Sequence, residues 1–269
     1  MTPSAVRATA SRWQATAQPA VVVEVLATRG SVPRDAGTRM LVATDRVLGT
    51  IGGGHLELQA IATARQLLVQ GGAPVDRAVN LGPSLGQCCG GALTLRFTEL
   101  AATDLQQWPL PPVQFDLQLY GAGHVGRAIA RLLRGIDCRV RWIDEREDEF
   151  PGENFPAHIE QVCAEPAQAE VAQAAPGAFY LVLTHSHDLD LAITQAILQR
   201  GDFGFFGLIG SQTKRARFEH RLLERGIPAA ALARMACPIG LAGLHGKQPE
   251  VLAVSVVAQL LMQRAQKVD

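Results

Sequence analysis

The stretch that decides the fold is Tyr120-Gly121-Ala122-Gly123-His124-Val125-Gly126, a G-x-G-x-x-G pattern. It follows a strand-like run at 115–120 and opens a helical pattern that continues to position 133. In such a loop, the first glycine permits the tight turn, the second lets the backbone approach a pyrophosphate, and the third allows close helix–strand packing. The helix N-terminus adds unpaired N–H groups and a positive dipole. The pattern therefore predicts the first βαβ unit of a Rossmann-like domain.

A second predicted strand, 138–143, ends beside Asp144. The number of residues between Gly121 and Asp144 is about that found in dinucleotide-binding folds, where an acid binds a ribose 2′-hydroxyl. We therefore take the three glycines and Asp144 as candidate ligands of a nucleotide. A Rossmann fold that has lost its ligand is the alternative. His124 also belongs to this candidate set, as a local hydrogen-bonding residue rather than a catalyst.

Strand and helix patterns alternate along the rest of the chain, which predicts a parallel doubly wound sheet. The predicted strands are 178–183 and 203–208, and the predicted helices are 189–200, 212–225 and 249–263. We expect an α/β protein in which a small N-terminal α+β domain precedes a Rossmann-like doubly wound parallel-sheet domain.

The Pro-rich stretch Gln107-Trp108-Pro109-Leu110-Pro111-Pro112 suits an extended linker, because proline fixes φ and removes a donor. We therefore divide the chain into residues 1–106, a linker at 107–114, and residues 115–269. An ordinary loop inside one domain is the alternative. Before the linker, strands at 21–27, 39–43 and 92–97 and a helix at 56–70 indicate the small α+β domain.

Composition excludes several classes of protein. The chain has 269 residues with 25 basic and 25 acidic side chains, and a zero net charge argues against a nucleic-acid scaffold. No stretch has the roughly 18 apolar residues that span a bilayer, and residues 1–18 contain no uninterrupted apolar signal region. Five cysteines do not form a disulfide framework, which favours a reducing cytoplasmic compartment. Three of them, Cys138, Cys163 and Cys237, are expected to pack in apolar surroundings.

The least ordinary stretch is Gln87-Cys88-Cys89-Gly90-Gly91. A thiolate is a soft metal ligand and a strong nucleophile, and flanking glycines let a ligand approach the backbone. Two small buried apolar side chains are the equal alternative, because free cysteine is among the most buried residue types. The spacing is not that of a zinc site.

Two more glycine loops precede this one. Gly30-Ser31-Val32-Pro33-Arg34 joins two strands, and Gly52-Gly53-Gly54-His55 leads into a helix that carries Glu57. Glycines at a helix start are typical of anion sites, and Arg34 is able to bind a phosphate with two hydrogen bonds. Each loop alone is more often a simple turn. Together, the three loops predict a shared pocket for a phosphorylated or metal-bearing ligand.

Two loops in the second half lie where strands give way to helices, the edge at which such sheets bind ligands. In Thr184-His185-Ser186-His187-Asp188, we favour helix capping with ligand contact by His185 over a metal site. In Gly210-Ser211-Gln212-Thr213-Lys214, Ser211 suits an N-cap and Lys214 a phosphate or an acidic partner. The basic residues that follow to Arg225 indicate either a solvated face or a docking surface.

Taken together, these motifs resemble the XdhC/CoxI family of xanthine dehydrogenase accessory proteins, over nearly the whole chain. The motifs that carry the resemblance are Gly30-Ser31-Val32-Pro33-Arg34, Gly49-Thr50-Ile51-Gly52-Gly53-Gly54-His55-Leu56-Glu57, Gln87-Cys88-Cys89-Gly90-Gly91, Tyr120-Gly121-Ala122-Gly123-His124-Val125-Gly126, Thr184-His185, Gly207-Leu208-Ile209-Gly210-Ser211 with Lys214, and Cys237-Pro238-Ile239-Gly240-Leu241. One departure is Gln259, where the family leads us to expect an acid.

The resemblance implies a cytoplasmic chaperone rather than an enzyme. Such a protein binds the molybdenum cofactor (molybdopterin carrying Mo), holds it while a cysteine desulfurase installs the sulfido ligand, and delivers it to a xanthine dehydrogenase apoenzyme. Proteins of molybdenum-cofactor biosynthesis are further expected partners, and a homodimer is compatible with two apolar domains. Cys88 or Cys89 would approach the molybdenum or sulfur, with Arg34 and glycine N–H groups at the pterin phosphate.

Two other functions compete with this one. The first is an NAD(P)-dependent oxidoreductase that uses the Gly121 loop and Asp144, with His185 or His187 as proton donor. The second is a structural adaptor that binds a partner through the basic helical stretch from Lys214 to Arg225. A nucleotide at the Rossmann-like domain is also compatible with the chaperone hypothesis.

Overall fold

The computed structural model describes residues 1–72, 74–81, 90–110, 112–244 and 246–265. The chain divides into two compact units, Met1–Pro111 and Pro112–Asp269. This division falls inside the stretch assigned to the linker. Trp108, however, is only 4% exposed and packs with Leu100 in the first unit. The core of the first unit therefore extends past position 106.

The first unit is an antiparallel sheet with a helix on each face. Its described elements are α1 Pro3–Ala15, β1 Val21–Arg29, β2 Arg39–Val42, β3 Val47–Gly49, α2 Gly54–Gln70, β4 Val75–Asn80 and β5 Ala92–Glu99. The strands lie in the order β3-β2-β1-β5-β4. Because side chains alternate along β1, Val21 and Val23 pack beneath α2 while Val22 packs beneath α1.

The second unit is a parallel sheet with helices on both faces. Its described elements are β6 Asp116–Tyr120, α3 His124–Leu133, β7 Arg139–Asp144, β8 Ile159–Cys163, β9 Phe179–Val182, α4 His187–Arg200, β10 Phe205–Leu208, α5 Gln212–Glu224, α6 Ala229–Ala233, β11 Met235–Ala236 and α7 Pro249–Ala265. The strands lie in the order β8-β7-β6-β9-β10-β11 and every described pair is parallel.

In chain order this arrangement is 3-2-1-4-5-6, the order of a dinucleotide-binding Rossmann sheet. One hydrophobic core, with α3 and α7, covers one face, and a second core, with α4 and α5, covers the other. The order reverses between β6 and β9, which places the ligand crevice of such folds at the ends of these two strands. The predicted fold class is confirmed.

Several elements were not predicted. The largest is α1, which begins after Thr2, whose side chain accepts a hydrogen bond from the Ala5 N–H at 3.2 Å. Four short or edge strands, β3, β4, β8 and β11, were also missed, and most residues of β4 and β8 are partly or fully exposed. Within the described residues, no helix is long and apolar enough to cross a membrane.

Candidate functional site

In the first unit, the loop between β1 and β2 lies against the connection that precedes β5. The Gly91 N–H donates to the Ser31 carbonyl at 3.1 Å, and the Leu81 N–H donates to the Gly91 carbonyl at 2.8 Å. A Cβ atom on Gly91 would overlap the Ser31 carbonyl and would lie 2.6 Å from the Arg29 carbonyl oxygen. Only glycine lets these two segments approach so closely.

The same β1–β2 loop also contacts the glycine run before α2. A Cβ atom on Gly52 would lie 2.6 Å from two side-chain carbons of Pro33, and Gly52 has φ +123°, a conformation that favours glycine. The loop that carries Ser31 and Pro33 therefore touches both of the others. At their described residues, the three glycine loops of the first unit therefore meet through the β1–β2 loop.

The glycine run already holds a carboxylate. Oε2 of Glu57 accepts hydrogen bonds from the N–H groups of Ile51 and Gly53, each at 3.1 Å, and from the Thr50 hydroxyl. Part of the anion position predicted for Gly52, Gly53 and Gly54 is therefore taken by this internal acid. An external anion would have to use the first turn of α2, where Gly54 and His55 are exposed. The His55 ring lies 2.9 Å from the Gln59 amide.

A cavity of ≈400 Å³ opens beside these loops, within the first unit. Arg34 and Thr50 contribute to its lining, together with Arg39 and the apolar side chains of Trp108 and Leu110. Arg34 has no ion pair or hydrogen bond with the described residues. The arginine that the sequence assigns to a phosphate is thus exposed and available at the edge of a cavity.

Gln87, Cys88 and Cys89 lie outside the described residues. Gly90, the next residue, is exposed, and a Cβ atom there would meet nothing within 4 Å. Within the described ranges, no group of three or more His, Cys, Asp or Glu side chains is placed to hold a metal ion. The prediction of Cys88 and Cys89 as metal ligands therefore stays a prediction.

In the second unit, the glycines of the β6–α3 loop have different roles. A Cβ atom on Gly121 would overlap the Leu183 carbonyl, and one on Gly126 would overlap the Gly121 carbonyl. These two glycines allow close packing of strand, loop and helix. A Cβ atom on Gly123 would meet nothing within 4 Å, so its backbone faces open space at the start of α3. His124 is exposed there as well.

Asp144 is turned inward, toward this loop. Its Oδ2 accepts the Ala122 N–H at 2.7 Å and an Arg146 guanidinium N–H at 3.1 Å. Its Oδ1 accepts the Arg146 backbone N–H and Nε, each at 3.0 Å. A carboxylate has about four acceptor positions, and protein donors fill them all. The hydroxyl of a ribose would have to displace one of these donors.

A buried ion pair connects the ends of β9 and β10. Lys214 Nζ donates to Asp190 Oδ2 at 2.5 Å and to the Ile209 carbonyl at 2.9 Å. Asp190 is fully buried, and its other oxygen accepts the N–H and the hydroxyl of Thr184 at 3.0 and 2.7 Å. Lys214, predicted to bind a phosphate or an acidic partner, is thus engaged with Asp190. The network fixes the two loops at the ligand edge of the sheet.

The other predicted residues of this edge are exposed. His185 and Ser211 both face solvent, and the Ser211 hydroxyl accepts the Lys214 N–H at 3.2 Å as the N-cap of α5. Ser186 caps α4 in the same way. The basic face of α5 is partly neutralised: Arg215 pairs with Glu219 at 2.7 Å and Arg221 with Asp188 at 3.4 Å.

The structure corrects the expectation for one cysteine. Cys138 and Cys237 are buried, but Cys163 is exposed, since β8 is an edge strand with solvent-facing positions. Gln259, the departure from the family pattern, accepts the Gly240 N–H at 2.9 Å. A carboxylate oxygen at this position would accept the same hydrogen bond.

Sequence reasoning missed the roles of Arg39, Trp108, Asp190 and Arg146. Arg146 lies two residues after the predicted acid, a spacing at which an arginine can turn back on a carboxylate. Trp108 is a large aromatic side chain inside a Pro-rich stretch, and this is a signal for burial that a linker assignment overlooks. Asp190 occupies the first turn of a helix, where acids are common, so its position in the sequence did not indicate a buried ion pair.

Comparison with known proteins gives matches to both units. The family model described as "XdhC Rossmann domain" matches residues 117–260, and the model "XdhC and CoxI family" matches residues 13–77. The uncharacterized protein YqeB of Escherichia coli K12 is 30% identical over 253 residues, which cover 90% of this chain. The chain spans only 43% of the length of that relative.

A solved structure has the same fold. It is the crystal structure of a protein named as a xanthine dehydrogenase from Bacillus halodurans, with 19% identity and a TM-score of 0.75. The match covers 100% of this chain and 97% of that one.

Proposed function

Because this chain belongs to the XdhC and CoxI family, we propose that it is a chaperone of the molybdenum cofactor. It binds molybdopterin carrying Mo and holds it while a cysteine desulfurase partner installs the sulfido ligand. It then delivers the cofactor to a xanthine dehydrogenase-type apoenzyme. Proteins of molybdenum-cofactor biosynthesis supply the cofactor, and the exchange takes place in the cytoplasm. In this proposal the cofactor is cargo and the chain has no turnover of its own.

The observation that carries the proposal is the meeting of the three glycine loops in the first unit. Close contacts at Gly52 and Gly91 require glycine, so both loops are held against the β1–β2 loop. Cys88 and Cys89 directly precede Gly90 in the sequence, and Gly91 is bonded to Ser31. This arrangement supports a site that is built from backbone and completed by thiolates.

The chemistry of these groups fits a cofactor with a soft metal centre and a phosphate. Thiolates are soft ligands that suit molybdenum and sulfur. Arg34, which has no partner among the described residues, is the group that we assign to the phosphate. The N–H groups of Gly54 and His55 at the start of α2 are further donors.

A nucleotide at the second unit is a separate candidate ligand. The strand order and the open backbone of Gly123 favour it. An NAD(P)-dependent oxidoreductase fits less well, because the donors of Ala122 and Arg146 fill the acceptor positions of Asp144. Calorimetric titration with NAD and NADP distinguishes the two functions. Tight binding with hydride transfer would favour the enzyme.

The proposal is tested by isolating the full chain from a molybdenum-replete host and identifying its ligand by mass spectrometry. We expect molybdopterin and molybdenum in equal amounts, close to one per chain. A ligand-free chain that also fails to take up released cofactor in solution would overturn the proposal. A bound nucleotide in place of the cofactor would do the same.

A further inference from the structure

The cavity of the first unit has the size of a small-molecule site. Its volume is ≈400 Å³, and ligand pockets commonly enclose about 300–1,000 Å³. It lies among Met1, Pro3 and Val6, residues of the β1–β2 loop, Gly49 and Thr50, and the segment from Trp108 to Leu110. Of the predicted pocket, it therefore includes the parts that carry Arg34 and Thr50.

The charged lining of this cavity is positive. Arg39 is largely buried and donates from Nη2 to Glu24 at 2.8 Å, so this pair is close to neutral. The Nη1 group of Arg39 is buried and has no hydrogen-bond partner among the described residues, which leaves donor capacity unused. Arg34 contributes a second guanidinium, which has no partner among the residues that the structure describes. The described side chains of the lining therefore carry an excess of one positive charge.

Another part of the lining is apolar and held in place. The Arg39 guanidinium carbon lies 5.0 Å from the centroid of the Trp108 ring, a cation–π distance. Trp108 is 4% exposed, and Pro109 and Leu110 continue the same wall. A buried aromatic side chain beside proline and leucine offers a rigid apolar surface, which suits a flat ring.

We infer that this cavity binds an organic anion with a flat ring system. The ring lies along Trp108, Pro109 and Leu110, and a single phosphate or carboxylate group binds Arg34. The excess positive charge and the apolar wall together define this class of ligand. An inorganic anion would contact only the arginine, and a neutral ring would contact only the apolar wall. The inference deepens the proposed function and rests on it for the natural ligand, since a pterin phosphate belongs to this class.

The test is calorimetric titration of the full chain with three probes. Pterin-6-carboxylate has both the ring and one carboxylate, pterin lacks the carboxylate, and inorganic phosphate lacks the ring. We expect pterin-6-carboxylate to bind at least about tenfold more tightly than either of the other two, because each contact contributes a part of the binding free energy. Equal binding of all three, or no binding of pterin-6-carboxylate, would overturn the inference.

Two pairs of variants locate the binding. Trp108→Leu should weaken pterin-6-carboxylate binding about tenfold, whereas Trp13→Leu should change it by less than about twofold. Both tryptophans pack in the same hydrophobic cluster, but only Trp108 lines the cavity. Arg34→Ala should likewise weaken binding about tenfold, and Arg65→Ala, which removes an exposed arginine outside the cavity, should not.

Because Arg34 is exposed, its removal should leave the fold intact even if Trp108→Leu unfolds the unit. Unchanged binding in Arg34→Ala would overturn the inference. The same variants, tested for retention of the molybdenum cofactor, distinguish failure of the inferred cavity site from failure of the proposed chaperone function. Cofactor bound equally by wild type and Arg34→Ala removes this pocket and leaves the chaperone function. If the chain binds pterin-6-carboxylate in the cavity but never takes up the cofactor, the chaperone function is excluded and the cavity site is kept.

Discussion

The Asp144 carboxylate is 3% exposed, yet its pKa is lowered from the ordinary value. Burial by itself would raise this pKa, but hydrogen bonds from the Arg146 guanidinium and from the N–H groups of Ala122 and Arg146 outweigh it. An acid with a depressed folded-state pKa stabilises the fold above its unfolded pKa of about 3.9. That stabilisation is lost as the pH falls through the folded-state pKa.

We predict that Asp144→Asn lowers the free energy of unfolding at pH 7 by about 1–3 kcal/mol, because it removes charged hydrogen bonds to buried donors. The difference from wild type should persist down to about pH 4 and shrink below it. Urea denaturation between pH 7 and pH 3 measures this, with the exposed Asp148→Asn as the control. A penalty for Asp144→Asn that does not change with pH would contradict the ionic role.

The three described cysteines differ in reactivity for a physical reason. Burial raises the pKa of the Cys138 thiol to about 12, with help from Asp137 and Asp116, and burial also raises the pKa of Cys237. Cys163 is exposed. At pH 8, a maleimide should therefore label Cys163 within minutes and the two buried thiols only after unfolding. Peptide mapping by mass spectrometry reads this out, and labelling of Cys138 as fast as Cys163 would show that the burial is wrong.

Among the elements, the turn from β6 into α3 can be tested by a matched pair of glycines. A methyl group on Gly126 would collide with the Gly121 carbonyl, while one on Gly123 would enter open space. Gly126→Ala should lower the free energy of unfolding by about 1–3 kcal/mol, and Gly123→Ala should change it by less than about 0.5 kcal/mol. Chemical denaturation of both variants decides this, and equal penalties would exclude the assigned division of roles.

The same element shows how far sequence predicts structure. The glycine pattern predicted the strand, the loop and a helix over 124–133, which the structure has as His124–Leu133. It also placed Asp144 correctly at the end of β7. It did not show that Arg146 closes on this acid, because a guanidinium two residues away can point to solvent or back to the chain with similar ease.

Elements with a weak apolar pattern were not predicted, for a related reason. The edge strands β4 and β8 bury few side chains, so their sequences alternate little. The helix α1 carries a terminal signal, Thr2 followed by Pro3, which apolar periodicity alone does not reveal. Buried central strands such as β1, by contrast, have a strong apolar pattern and were predicted.

At the scale of the whole molecule, the sequence predicted two parts of different architecture, and both the antiparallel and the parallel sheet are present. The sequence predicted that the three glycine loops share a pocket, but not the contacts that join them. Ser31 bonds to Gly91 and Pro33 packs on Gly52, contacts between residues far apart along the chain. Such contacts depend on the order of strands in the sheet, and local patterns do not encode that order. The contribution of Trp108, Pro109 and Leu110 to the cavity beside Arg34 was likewise not predicted.

The central claim is that the glycine loops and the cysteine pair bind the molybdenum cofactor. Equilibrium dialysis of released cofactor against the full chain tests it most directly, with wild type, the double variant Cys88→Ala/Cys89→Ala, and the control Cys163→Ala, which removes an exposed thiol of the second unit. We predict near-stoichiometric molybdenum and pterin on wild type and on the control, and an affinity at least about tenfold weaker for the double variant. Equal binding by all three would contradict the role of the cysteines, and absence of binding to wild type would contradict the function itself.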